Sequence, residues 1–240
     1  MKTSSAELKR AARENLGGKY STAIFAMVAA SFIPSVLLYP FADNASTGGS
    51  SQKIIYALAS IIITLIQMIL TCGQLRLHLN IAEKRPYQFS DIFFSFRNYP
   101  QKIVGAYLLL FLFMIPAVLP GSVLLTLALL LFSDSAPFMG LAVIVLLAGA
   151  IFDIRIALQY GLIFFMLAEN PNASVRATFR KSKSIMEGNK LRLFYLQLSF
   201  LGFYLLAVLS CGIGMFWVMP YMQQTSILFY LEVMDEKAYV

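Results

Sequence analysis

The sequence predicts an all-α fold, a polytopic transmembrane helical bundle of about six spans with short interfacial amphipathic helices. Three observations support this prediction. Hydrophobic residues make up 59% of the 240 residues and charged residues only 13%, whereas soluble domains contain about 25% charged residues. The mean hydropathy of +0.72 leaves too little polar surface to cover a soluble particle. Lysine and arginine are also concentrated in segments that alternate with non-basic loops along the chain.

Six apolar runs are long enough to cross a hydrocarbon core about 30 Å thick. We interpret the first run as an uncleaved helix, because it is too long for the apolar region of a signal peptide. The whole chain, 1–240, is then a single integral membrane domain. Its predicted membrane segments are 20–42, 54–79, 103–132, 138–168, 191–212 and 213–233.

The third and fourth runs are each about 30 residues long, which corresponds to about 45 Å of helix and exceeds the hydrocarbon core. They are either long tilted helices or spans extended by short re-entrant pieces. Pro116 and Pro120 favour a break in the third run. The last two runs are separated by a small-residue turn at 211–214, which is compatible with a tight helical hairpin.

The distribution of basic residues predicts the orientation. Loop 43–53 contains one basic residue, Lys53, and turn 133–137 contains none. Seventeen of the 19 lysines and arginines lie in the N-terminal segment, in and beside loops 80–102 and 169–190, and in the C-terminal tail. Because basic loops stay in the cytoplasm, we predict a multi-pass protein of the bacterial plasma membrane with both termini in the cytoplasm.

The N-terminal segment 1–19 is predicted to be a cytoplasmic amphipathic helix. Ser4 and Glu7 have the spacing of a capping box, and two glycines at 17 and 18 end the helix. A thin apolar stripe runs along it, made of Leu8, Ala12 and Leu16.

A phenylalanine-rich stretch in loop 80–102 is also predicted to be helical. Phe89, Ile92, Phe93 and Phe96 have the i, i+3, i+4, i+7 spacing of one helical face. Two interpretations remain open. The helix lies in the lipid headgroup layer, or it packs beneath the transmembrane bundle.

The third amphipathic segment, 172–188, carries a cluster of basic residues. Its predicted inner face contains Val175, Phe179, Ser182 and Met186. Such clusters attract anionic lipids, so we predict an anionic-lipid surface at the cytoplasmic face. The alternative is that these charges only enforce topology, and nucleic-acid binding is not expected because no base-reading motif accompanies them. The candidate lipid-binding residues are Arg176, Arg180, Lys181 and Lys183.

Residues that could carry chemistry are few. No nucleotide, hydrolase or metalloprotease motif is present, and Cys72 and Cys211 both lie in apolar runs, so we expect no enzyme activity, metal or cofactor. The only histidine, His78, has no evident partner and is interpreted as structural. Ionisable residues within apolar runs are candidates for function, as are the polar residues around Pro220. The candidate polar intramembrane site comprises Asp153, Arg155, Gln159, Pro220, Tyr221, Gln223 and Gln224.

The two ends of the chain resemble a known family. The opening from Leu8 to Tyr20, the segment before the fifth run, and the stretch from Leu191 to Tyr230 are similar to a bacterial family of multi-pass membrane proteins, commonest in Firmicutes, called domain of unknown function nine-seven-five. The likeness is weaker in 121–152. The resemblance implies six or so spans and no established activity or catalytic residues. Its distant likeness to membrane domains beside glycerophosphodiester phosphodiesterases points to envelope lipids.

We therefore expect a non-enzymatic accessory or transport-related protein that acts on envelope lipids or peptides, with the lipid bilayer as its partner. Two alternatives remain. A membrane transporter or lipid translocase needs a polar site between helices near the midplane. An intramembrane enzyme needs at least two converging titratable groups.

Overall fold

The fold is all-α, as the sequence predicts. The computed structural model describes residues 3–42, 48–131 and 135–238, and every regular element in these ranges is a helix. Two short 3-10 helices, Tyr39–Phe41 and Phe89–Phe93, follow α2 and precede α4. The α-helices are α1 (Ser5–Leu16), α2 (Tyr20–Leu38), α3 (Ser50–Ala82), α4 (Phe94–Arg97), α5 (Pro100–Leu131), α6 (Ala136–Tyr160), α7 (Ile163–Glu169), α8 (Val175–Met186), α9 (Lys190–Leu198), α10 (Leu201–Leu209) and α11 (Met215–Ala238).

Five helical stretches in the described residues are long and apolar enough to cross a membrane. They correspond to the first five predicted segments. The sixth predicted segment lies in α11, which is 24 residues long. α11 carries glutamines, glutamates and an aspartate, and it is not among the helices that are apolar enough to cross a membrane. The five candidate spans are Tyr20–Phe41, Ser50–Ala82, Pro100–Leu131, Ala136–Glu169 and Lys190–Leu209.

The third predicted segment is one unbroken helix. α5 runs through Pro116 and Pro120 for 32 residues, so the break that the prolines favour is wrong and the long-helix alternative is the one observed. Proline is tolerated in a membrane helix when neighbouring helices support the backbone. α6 gives that support, because it packs so closely that a β-carbon on Gly149 would lie 2.1 Å from the carbonyl oxygen of Ala117.

Three other segments differ from their predicted bounds. α3 begins at Ser50 and continues to Ala82, one turn into the predicted loop. The fourth segment is divided at residues 161–162 into α6 and α7, and the fifth at 199–200 into α9 and α10. One member of each pair, α7 and α9, belongs to the packed base of the molecule and not to its exposed apolar part.

The packed core lies at the end of the bundle that contains α1 and α8. The stripe Leu8, Ala12 and Leu16 is buried, and α1 packs against α11. The predicted capping box is present, with the Ser4 hydroxyl accepting from the Glu7 amide and the Glu7 carboxylate accepting from the Ser4 amide at 2.8 Å. α1 is therefore a structural part of the base, with its apolar stripe turned towards protein.

The opposite ends of the long helices are sparsely packed. α5 and α6 form a hairpin whose outer part presents large apolar side chains on its surface, such as Leu130 at 74% and Ile144 at 65% exposure. Such a surface is consistent with a membrane protein. The molecule thus consists of a packed base and an apolar region whose helices expose large side chains.

The phenylalanine-rich stretch is not one helical face. It forms the 3-10 helix Phe89–Phe93 followed by the single turn α4, and only Ile92 of the four predicted face residues is buried. Ile92 packs on α3 at Gly73, where a β-carbon would lie 2.0 Å from the Ile92 carbonyl oxygen. Phe89 and Phe93 of the 3-10 helix and Phe96 of α4 point outward and remain 37–44% exposed. This segment therefore both packs beneath the bundle and presents aromatic rings on its surface.

An ion pair joins the two ends of the chain. Arg192 of α9 donates to both carboxylate oxygens of Glu232 at 2.9 Å and to the carbonyl oxygen of Thr3 at 3.0 Å. The amide of Thr3 donates to the same carboxylate at 2.7 Å. The start of α1 and the end of α11 are thus at the same end of the bundle.

Candidate functional site

Asp153 is an ionisable residue on α6 that lies between α6 and α5. Its side chain is half-buried and faces α5, where it borders an apolar cavity of about 340 Å³. One carboxyl oxygen is buried without a hydrogen-bond partner in the described residues. The apolar residues around this cavity are Phe111, Met114, Ile115, Val118 and Leu119.

Arg155 points to another side of α6. It is exposed and makes no ion pair with Asp153, as expected for positions about 200° apart on a helix. Arg155 and Gln159 instead line one groove of about 340 Å³, which agrees with their i, i+4 spacing. The other lining residues are Phe113, Phe152, Ile156 and Tyr160.

This groove is adjacent to α8. The Phe179 ring of α8 lies 5.1 Å from the Tyr160 ring and 5.8 Å from the Phe113 ring, measured between centroids. Gln159 is fixed from the same side, since its side-chain oxygen accepts from Lys190 at 2.8 Å and its carbonyl oxygen accepts from the Ser182 hydroxyl at 3.0 Å. The helix that carries the basic cluster therefore packs against residues that line the Arg155 groove.

α8 buries one face and exposes its basic residues. Phe179, Ser182 and Met186 of the predicted inner face are buried, and Val175 is half-buried. The four predicted lipid-binding residues are exposed on the other side, and none makes an ion pair within the part of the chain that the structure describes. They are Arg176, Arg180, Lys181 and Lys183. Arg155 is the cation that lines the groove itself, whereas the four α8 cations lie on the exposed face of the helix whose Phe179 contacts Tyr160 and Phe113 of the groove. We call the groove together with this exposed face of α8 the basic groove.

The polar residues of α11 lie in another part of the molecule. Pro220, Tyr221 and Gln224 are buried, and Gln223 is half-buried. The side-chain oxygen of Gln224 lies 2.8 Å from Nδ1 of His78 on α3, and both residues are fully buried. Nε2 of His78 and Nε2 of Gln224 have no partner in the described residues. No partner for His78 is evident in the sequence because the two residues of the pair are 146 positions apart.

The structure does not bring the predicted intramembrane residues into one site. α6 packs on α5, α8 and α9, whereas α11 packs mainly on α1, α2, α3 and α10. The predicted set is divided between the basic groove, the Asp153 cavity and the His78–Gln224 pair. Within residues 3–42, 48–131 and 135–238, no group of three His, Cys, Asp or Glu residues could hold a metal ion.

Sequence reasoning missed two features of these sites. Gln74 and His78 have i, i+4 spacing in an apolar helix, which is a signal for a buried polar face, but no local signal identifies Gln224 of α11 as the partner of His78. No sequence pattern predicts the contact of Phe179 with the α5–α6 hairpin, because it joins segments that are distant along the chain.

No curated protein and no solved structure matches the chain significantly. The family model described as "Protein of unknown function (DUF975)" matches residues 1–237. The resemblance that the sequence motifs indicate is therefore confirmed over nearly the whole length, and the chain belongs to the DUF975 family of proteins of unknown function.

Proposed function

We propose that this protein is a non-enzymatic accessory protein of the bacterial plasma membrane that binds anionic phospholipid in the basic groove. The observation that carries the proposal is a cation within a largely apolar groove, next to a helix that exposes further cations. Arg155 lies within the groove, and α8, which contacts the groove residues Tyr160 and Phe113 through Phe179, exposes four cations on its outer face. A phospholipid has the matching chemistry, with an anionic headgroup and apolar chains.

The position of α8 supports this ligand. Phe179 anchors the helix against the α5–α6 hairpin at Phe113, next to the exposed apolar residues Phe111 and Leu112. Long basic side chains at this level reach headgroups while their stems remain on apolar surface. Each such cation contributes about 1 kcal/mol to anionic lipid binding, which is roughly fivefold in affinity.

The orientation is part of the proposal. The chain's two ends meet at Thr3 and Glu232, and the basic residues are concentrated at that end, so the positive-inside rule assigns it to the cytoplasm. The lipid bound in the basic groove then belongs to the cytoplasmic leaflet.

A transporter or translocase is the second candidate, and the His78–Gln224 pair is the observation that favours it. Two fully buried polar side chains with unpaired nitrogen atoms are costly between helices and are retained in many transport sites. This candidate predicts that replacing the pair abolishes a transport activity without affecting lipid affinity.

Lipid titration of the purified protein tests the proposal. We expect phosphatidylglycerol to bind more tightly than phosphatidylcholine, and the double variant Arg155→Gln/Arg180→Gln to lose roughly 25-fold in phosphatidylglycerol affinity, at about 1 kcal/mol per charge. Both residues are exposed, so the variant should fold normally. Native mass spectrometry of the protein with added lipid measures both affinities.

Arg10→Gln is the matched control. Arg10 is an exposed cation on α1 that pairs with Glu14 at 2.9 Å, and its loss should leave lipid affinity unchanged. Equal affinity for the two lipids, or an equal loss in the control and the double variant, contradicts the proposal.

A further inference from the structure

The hairpin formed by α10 and the first half of α11 is much shorter than the helices beside it. The His78–Gln224 contact places one position of α3 level with one position of α11. From His78, α3 continues for 28 residues to Ser50, about 42 Å of helix. From Gln224, α11 continues for only nine residues to Met215, about 13 Å, and the turn at Gly212 adds about 5 Å.

The length of α5 supports the same comparison between the hairpin and its neighbouring helices. Its Tyr107 ring stacks on Phe164 at 3.9 Å, and the carbonyl oxygen of Phe164 lies 3.9 Å from Sγ of Cys72. Beyond this level α5 extends about 36 Å to Leu131 and α3 about 33 Å. The tip at Gly212 extends only about 9 Å beyond it.

The other arm of the hairpin is just as short. Lys190–Leu209 is long enough to cross a membrane by length and composition, but its first half, α9, is part of the packed base. Leu193 and Leu196 are buried there, and Arg192 forms the ion pair that joins the chain ends. On the side of the 199–200 break away from the packed base, α10 contributes nine residues, about 14 Å.

The tip of the hairpin has satisfied backbone hydrogen bonds and an apolar surface. Every backbone N–H from 210 to 218 donates a hydrogen bond within the turn, including Gly214, which donates to the Ser210 hydroxyl at 2.8 Å. Leu209 is 80% exposed and Trp217 55%, and no charged residue lies between 193 and 231. A turn in water does not require this complete pairing, whereas a turn in hydrocarbon does.

We propose that residues 201–221 form a re-entrant wedge that ends within the hydrocarbon of the leaflet on the α1 side of the membrane. The partner of its exposed surface is the acyl chains of that leaflet. The chain then crosses the membrane fully only through α2, α3, α5 and α6, and the even number of crossings keeps both ends on one side. This inference is independent of the basic groove.

Cysteine accessibility in permeabilised membranes tests the wedge. Cys211 at the tip is exposed on the protein, whereas Cys72 is buried, so Cys211→Ser gives the background. Ser50→Cys in that background places a thiol at the exposed start of α3. We expect a membrane-impermeant maleimide to label Cys211 at least about tenfold more slowly than the Ser50→Cys variant, because maleimide needs a water-exposed thiolate.

Because both membrane faces are open, this comparison does not depend on which face is cytoplasmic. Labelling of Cys211 as fast as that of the Ser50→Cys variant would overturn the wedge, because it would place the tip in water.

The single tryptophan reports what covers the tip. Trp217 should be quenched in vesicles by phospholipids with brominated acyl chains and little by aqueous acrylamide. Acrylamide quenching without bromolipid quenching would contradict insertion. A lack of quenching by either agent would mean that protein covers the hairpin, and would overturn the assignment of acyl chains as its partner.

Discussion

Replacement of Gly149 by alanine should disrupt the α5–α6 hairpin. The new β-carbon would lie 2.1 Å from the Ala117 carbonyl oxygen and 2.9 Å from its carbonyl carbon, both shorter than an ordinary van der Waals contact. The two backbones must separate by about 1 Å, and overpacking of this kind costs roughly 1–3 kcal/mol.

Gly140→Ala is the matched control on the same helix, because nothing lies within 4 Å of its added β-carbon. Both variants gain about 1 kcal/mol of helix propensity, so the difference between them isolates the packing term. We expect the melting temperature of Gly149→Ala to lie roughly 2–12 °C below that of Gly140→Ala.

The buried Cys72 thiol provides the assay. In a Cys211→Ser background, a fluorogenic maleimide reacts with Cys72 only when the packed base opens during heating. Equal melting temperatures for the two alanine variants would refute the close packing of α5 on α6.

Three further predictions concern the base. Arg192→Ala should destabilise the protein by about 3 kcal/mol in thermal unfolding, because the largely buried carboxylate of Glu232 loses its cationic partner. No loss of stability would refute the role of this ion pair. His78→Leu and Gln224→Leu should each cost about 1–3 kcal/mol, and the double variant should cost less than their sum; strict additivity would refute the pairing. Hydrogen bonds from Ser4 hold the pKa of Glu7 below 4.5, so the stability from this capping box is complete above pH 4.5 and lost as the pH falls through the lowered pKa. Ser4→Ala should therefore remove this pH-dependent part of the stability in a pH titration of unfolding. An unchanged pH profile in the variant would argue against the capping box as its source.

Local patterns in the sequence were sufficient to predict the elements whose causes are local. The capping box at Ser4 and the stripe through Ala12 depend on spacings of three and four residues, and both are present as predicted. Five of the six predicted membrane segments correspond to candidate spans for the same reason, because hydropathy is a property of each segment alone.

The features that the sequence did not predict depend on contacts between distant segments. Pro116 lies within a continuous helix because α6 packs against it at Gly149, and no pattern within α5 contains that information. Ile92 turns inward alone because Gly73 of α3 leaves room for its backbone. The sequence likewise does not predict that Gln224 pairs with His78 or that Phe179 packs beside the Arg155 groove, because both contacts depend on how the helices assemble.

The lipid that co-purifies with the protein tests the central claim most directly. Mass spectrometry of the protein extracted from its membrane should detect an anionic phospholipid retained by the wild type and by Arg10→Gln, and largely lost from Arg155→Gln/Arg180→Gln. Retention of the same anionic lipid in equal amount by all three proteins would contradict the basic groove as its binding site.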